Sequence, residues 1–379
     1  MSTTEPTMMQ VGGDTPTPAA TSARSDRGSR RASIEEAVLP PLVALLLAVV
    51  IGDVLILSFG QSPGAVYRLL LEGTWGNAYG FGQVLYKATT LVFTGLAVGL
   101  GLRAGLFNIG AESQLAAGGF CAALVGLLLP GGIPALLCLP IYVLAAALGG
   151  GAVGAVPGVL KARFGAHEVI VTIMLNFIVL ALLNYLTSTR FHVPDTLHTA
   201  EIRSGALPRL SDMSAAFQGS AANVTILLAV LAAIAFGWFL FRTRRGFELR
   251  AVGLQPRAAE YGGVHVGSVT WRALAISGAI AGIGGLNYVL GYKHYYEEGF
   301  ATGAGFLGIA VALVGRSHPI GICLAALLFA TLSQGGLAVN ALVPKQMVDV
   351  LQAVVILAVA TSVPEVRRLL LGARRSAER

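Results

Sequence analysis

Ten runs of mostly apolar residues follow one another along this chain, each close to the ~20 residues that carry an α-helix across a bilayer. Their approximate limits are 39–59, 83–103, 109–129, 133–156, 167–189, 222–241, 271–291, 300–315, 319–340 and 346–363, the eighth being short. The runs do not alternate apolar and polar residues as barrel strands do. Lipid offers no partner for a backbone group, so helices are the expected element. Composition argues against a soluble domain: 55% of the 379 residues are hydrophobic and 12% are charged, against about a quarter charged in an ordinary soluble chain. The expected fold class is an all-α polytopic membrane protein with about ten transmembrane helices.

The net charge of +7 is first a signal of topology in so apolar a chain. If the N-terminus is cytoplasmic, 19 of the 26 lysines and arginines fall inside, among them Arg31, Arg103, Lys161, Arg163, Arg250, Arg257, Arg272, Arg316 and Arg368. Arg68, Lys87, Arg190, Arg203, Arg209, Lys293 and Lys345 then fall outside or at outer helix ends. The positive-inside rule favours that orientation, and an even number of helices returns the C-terminus to the cytoplasm. Residues 1–37, rich in Ser, Thr, Pro, Gly and Arg, are expected to form a disordered cytoplasmic tail. Residues 38–366 form the membrane domain, and 367–379 a basic cytoplasmic tail. Cys121, Cys138 and Cys323 lie inside apolar runs and suit neither a disulfide framework nor a metal site.

Two connections are long enough to act as soluble segments. The outer loop, about 190–221, carries His192, Pro194, His198 and Pro208 without a metal or phosphate motif, so it is either a contact for an external partner or a simple connection. The inner loop, 242–270, is basic. Within it Pro256 is placed to open a short helix that Gly262 ends, which suits docking on a cytoplasmic protein or on lipid headgroups.

Polar residues at membrane depth normally face a partner or a wet cavity. Asp53, Glu112, Gln114, Asn176, Asn184, Asn287, Gln334, Asn340 and Gln352 are of this kind. Glu112 follows a glycine-bracketed break, Gly105 to Gly110, where a half-helix can open within the membrane and offer its amides to a solute. It is either a pathway residue or a tie between helices. Glu168, Thr172 and Asn176 share one helical face, as a substrate stripe or a hydrogen-bonded seam. Small residues recur at four-residue spacing at Gly95/Gly99, Gly150/Gly154/Gly158 and Gly278/Gly282, the pattern of closely packed helices. Enzyme motifs fail. His167-Glu168 starts like a zinc-protease helix, but the second histidine position is Val171, and no Gly-x-x-x-x-Gly-Lys-Ser/Thr phosphate loop occurs.

Four blocks carry a family resemblance. Gly101-Leu-Arg-Ala-Gly-Leu-Phe-Asn-Ile-Gly-Ala-Glu-Ser-Gln114, Val156-Pro-Gly-Val-Leu-Lys-Ala-Arg-Phe164, Glu168-Val-Ile-Val-Thr-Ile-Met-Leu-Asn176 and Leu249-Arg-Ala-Val-Gly-Leu-Gln-Pro-Arg-Ala-Ala259 resemble the signature blocks of ABC importer permeases for simple sugars and nucleosides, closest to the nucleoside-type branch. The resemblance spans roughly 40–365. It departs at Ser113, where the family usually has Gly, and at His167, where Asn usually precedes the Glu.

The resemblance implies a plasma-membrane permease subunit that is not itself an enzyme and holds no cofactor or metal. ATP would sit on a separate cytoplasmic ABC ATPase, beside a second permease, the same or different, and an extracytoplasmic solute-binding lipoprotein. Nucleic acid is not an expected partner, whereas membrane lipid is. The expected substrate-pathway residues are Asn108, Glu112, Gln114, Glu168, Thr172 and Asn176. The expected ATPase-coupling residues are Arg250, Gly253, Pro256, Ala258, Ala259, Tyr261 and Gly262. A ribose-like sugar permease and an ion-coupled secondary transporter, the latter needing Asp53 or Glu112 as its carboxylate, remain the alternatives.

Overall fold

The computed structural model describes Leu46 and residues 49–301, 303–344 and 346–358. The expected tails lie outside the described residues. Fifteen helices form the described part: α1 Val49–Ser58, α2 Pro63–Thr74, α3 Ala78–Arg103, α4 Ala111–Leu128, α5 Ala135–Phe164, α6 Glu168–Leu186, α7 Leu210–Met213, α8 Thr225–Arg242, α9 Arg244–Leu254, α10 Pro256–Tyr261, α11 Val266–Gly284, α12 Leu286–Val289, α13 Ala304–Val314, α14 Pro319–Ala338 and α15 Gln346–Ala358. Short π and 3-10 turns follow α6 and α7, and β-pairing among the described residues is confined to isolated bridges.

Among the described residues each of the ten apolar runs overlaps a helix, but seven helices are long and apolar enough to cross a membrane, or eight if α1 and α2 are one span. The differences have local causes. Pro63 opens α2 at its first position, and α2 turns by 111° from α1, adding a helix that the apolar pattern did not announce. Asn77 accepts the Gly80 N–H at 2.6 Å and starts α3 five residues before the expected limit. α5 runs through Pro157 to Phe164, where Gly165 adopts φ 67° and stops it. The run at 271–291 is divided between α11 and α12. The eighth run is the 11-residue α13, about 16 Å long and so half a bilayer.

Burial sorts the helices into a centre and a rim. The spanning windows of α3 and α4 are 78% and 72% buried with mean hydropathy 1.4, whereas that of α6, extended to Phe191, is 17% buried with mean hydropathy 2.4. This is the ordering a lipid solvent imposes: the rim must be apolar, and the centre is free to hold small and polar residues. Ile170, Met174, Phe177, Ile178 and Leu182 make the exposed apolar face of α6.

The glycine stripes pack the centre. A Cβ on Gly278 of α11 would lie 2.3 Å from the Gly150 carbonyl oxygen of α5, and one on Gly154 would lie 2.4 Å from the Leu274 carbonyl oxygen, so the two backbones touch where only glycine fits.

The two ends of the bundle differ. One gathers Arg103, Lys161, Arg163, α9, α10 and Arg316. The other gathers the loops 190–224 and 290–301, joined by bridges His198–Glu297 and Thr199 N–H to Tyr296 C=O at 2.9 Å.

Candidate functional site

The break between α3 and α4 is real, covering residues 104–110. Gly105 makes its turn at φ 71°. The chain here forfeits helical hydrogen bonds in a buried place, and polar side chains replace them. Asn108, fully buried, receives the Gly110 N–H on its Oδ1 at 2.9 Å and the Gln114 Nε2 at 3.1 Å. Its Nδ2 donates to Gln114 Oε1 at 2.8 Å and to Ser277 Oγ at 2.7 Å, and Ser277 donates to the Ala97 carbonyl at 2.6 Å. From α6, Asn176 donates to the Ile109 carbonyl at 2.9 Å and accepts the Ser113 N–H at 3.2 Å. Thr172 bonds back to the Glu168 carbonyl at 2.8 Å, and Glu168 meets Lys161 Nζ at 2.6 Å and the Phe107 N–H.

Glu112 reaches to another helix. Its two carboxyl oxygens accept the Gly303 N–H at 2.5 Å and the Gly305 N–H at 2.6 Å, the free amides at the start of α13. Two helix N-termini, α4 and α13, thus share one buried carboxyl group, which the partial positive charge of both favours. Arg103 holds the other end of α13: Nε donates to the Ser317 carbonyl and Nη2 to the Arg316 carbonyl, both at 3.1 Å.

All six residues expected on a substrate pathway are therefore brought together, and each is bonded to protein. The amides of the α4 half-helix, expected to be open to a solute, are occupied by Asn108 and Asn176. A second tie of the same kind holds the break after α11, where Asn287 donates to the Tyr86 carbonyl at 2.9 Å and to Thr90 Oγ1 at 2.8 Å and accepts from Asn223 and Thr225.

A cavity of about 670 Å³ lies beside this knot. Tyr86, Lys87, Thr90 and Leu91 of α3 form one wall, one face of α13 with Gly303 and Phe300 forms another, and Ser333 of α14 with Asp349, Gln352 and Ile356 of α15 completes it. Lys87, expected at an outer helix end, instead lies nine residues into α3 and bonds Ser333 Oγ at 3.4 Å. Asp349 and Ser333 gave no signal in the sequence alone, because each is a single polar residue in an apolar run. The i, i+3 spacing of Asp349 and Gln352, which places them on one face of α15, is the sign that was there.

The inner loop contains the expected short helix: Pro256 opens α10 and Gly262 follows its last residue. Leu254 is 85% and Tyr261 95% exposed, and Arg257, Ala258 and Glu260 also face out, whereas Ala259 is buried. α9, just before it, sits against the break. A Cβ on Gly253 would lie 2.2 Å from the Arg103 carbonyl oxygen, so α9 touches the chain between the residue that clamps the end of α13 and the residue that clamps its start.

A model of the family described as branched-chain amino acid transport system / permease component matches residues 80–360. The chain belongs to this permease family. It is 39% identical over 333 residues to the guanosine ABC transporter permease protein NupP of Bacillus subtilis, covering 86% of this chain and 93% of that one. The nucleoside ABC transporter permease protein NupB of Lactococcus lactis is 34% identical, with 85% and 90% covered. The glucose ABC transporter permease protein TsgB13 of Haloferax volcanii is 33% identical, with 85% and 87% covered. No solved structure matches. The chain is thus a multi-pass membrane permease and not an enzyme, as the resemblance implied.

Proposed function

We propose that this permease is the membrane subunit of an ATP-driven ABC importer that moves a nucleoside or a related small polar solute inward. The observation that carries the ATP-driven part is α10, a six-residue helix anchored by the buried Ala259 and presented with Leu254, Arg257, Ala258 and Tyr261 outward. Such a knob fits a groove on a soluble partner, and a cytoplasmic ABC ATPase is that partner in this reading. The guanosine and nucleoside permeases among the relatives support the solute class.

The full arrangement is ten spans with both termini cytoplasmic, α13 and α15 counting as short ones. Each complex has a second permease, the same or different, and an outer lipoprotein that delivers the solute to the loops at 190–221 and 290–301. ATP stays on the ATPase, and this chain holds neither cofactor nor metal. Closure of the ATPase would push α10 and α9 and, through Gly253, the break that clamps α13.

The glucose permease among the relatives keeps a sugar as the second reading. An ion-coupled transporter would have to use Asp53 as its carboxylate, since Glu112 already has two backbone donors. The test is uptake into vesicles that hold the permeases, the ATPase and the lipoprotein. Entry of labelled nucleoside that needs ATP and ignores ionophores supports the reading. ATP-driven entry of glucose alone selects the sugar, and entry that needs an ion gradient overturns the importer.

A further inference from the structure

We propose that the open cavity lined by α3, α13, α14 and α15 is the transient solute site of the permease, and that Gln352 and Asp349 select an uncharged ring compound there. This deepens the importer reading and rests on it. Gln352 is 8% exposed, lines the cavity and makes no hydrogen bond among the described residues. Its amide opens onto this space rather than pairing with protein, so its donor and its acceptor are both available to a solute there. The amides of Asn108, Gln114, Asn176, Asn223 and Asn287 stand in contrast, all bonded within the protein.

The chemistry of the wall narrows the ligand. A primary amide offers a donor and an acceptor side by side, the pattern that matches one edge of a nucleobase. The Asp349 carboxyl accepts N–H or O–H groups, and the Lys87 ammonium lines the same space, so the site carries both signs and calls for no net charge on its ligand. A phosphate, with about two negative charges, would bring an excess of negative charge beside Asp349 that the single Lys87 ammonium does not balance, which disfavours nucleotides. Phe300 and Phe306 supply apolar ring contacts, and the volume lies within the roughly 300–1,000 Å³ of small-molecule sites.

The site is also placed to be emptied. Gly303, Ala304, Phe306, Leu307 and Ala310 belong to the segment that Glu112 and Arg103 grip from either side of the break touched by Gly253. Movement of α9 therefore reaches the cavity wall through two named hydrogen-bonded clamps.

The experiment uses the complete importer in proteoliposomes. Gln352→Leu and Asp349→Asn should each lower the uptake rate at saturating loaded lipoprotein about tenfold, while the lipoprotein's solute affinity stays at wild type. Independently, Ala353→Cys in a chain with Cys121, Cys138 and Cys323 replaced by Ala should be alkylated by a small thiol reagent. Millimolar nucleoside should slow that alkylation, and the nucleoside monophosphate should not. Wild-type uptake in both variants, or alkylation that nucleoside leaves unchanged, overturns the site. If the wild-type importer carries only glucose, the nucleoside reading fails separately, and the effect of Gln352→Leu on glucose uptake then decides the cavity: lowered uptake upholds the site, unchanged uptake removes it.

Discussion

Glu112 illustrates how a single side chain can tie two helices of a membrane fold together. Its carboxyl group satisfies two amides at the start of α13, and lipid gives those amides no other partner. Glu112→Ala should therefore destabilise the purified permease by about 1–3 kcal/mol for each unpaired N–H, and Glu112→Gln by less. Thermal unfolding in detergent measures this, and equal losses for the two variants would contradict the capping role. At the other end of the molecule, burial and the nearby Arg209 guanidinium push the His294 imidazole below its ordinary range. A lowered pKa means that the folded state binds fewer protons than the unfolded state, so the stabilisation is present above about pH 6.5 and is lost as pH falls below it. The protection of amides in 290–301, corrected for the intrinsic exchange rate at each pH, should fall between pH 7 and 5, and His294→Gln should remove that dependence.

At the scale of elements, the positions of the long helices were legible because apolar runs are long and bilayer thickness is fixed. Their ends were not, because caps and prolines set them: Asn77, Pro63 and Gly165 each moved a boundary. The polar set around the break was legible as polar residues at depth, yet its bonding was not, since whether an amide faces a cavity or a neighbouring backbone depends on tertiary packing. Lys87 misled for the same reason, as a charge that reads as a helix end but lies in a wall. The short helix α10 was legible from Pro256 and Gly262, although not which of its alanines faces out. Since Ala259 is buried and Ala258 is not, Ala258→Glu is the informative variant. It should leave assembly in the membrane intact and reduce solute-stimulated ATP hydrolysis and uptake together, whereas unchanged uptake would count against docking through α10. Likewise Gly278→Val should place carbon against the Gly150 carbonyl and cost the upper part of the roughly 1–3 kcal/mol typical of overpacking, or more. Its melting temperature checks this.

At the scale of the whole molecule, charge and burial describe one vectorial object. Basic residues crowd the end that carries α9 and α10, and the paired loops 190–224 and 290–301 cap the other. Single cysteines at Arg257 and Arg203 should be labelled from opposite sides of the membrane. Arg203 is the better outer probe, since its neighbour Ser204 is 2% exposed. The central claim is that solute movement through this chain is driven by ATP bound elsewhere and transmitted through α10. It is tested most directly by measuring labelled nucleoside uptake in proteoliposomes of the complete importer, with ATP supplied on the ATPase side and ion gradients collapsed. The account predicts uptake that requires ATP and the solute-binding lipoprotein and is abolished by Ala258→Glu. Uptake that proceeds without ATP, or that stops when the ion gradients are collapsed, would contradict it.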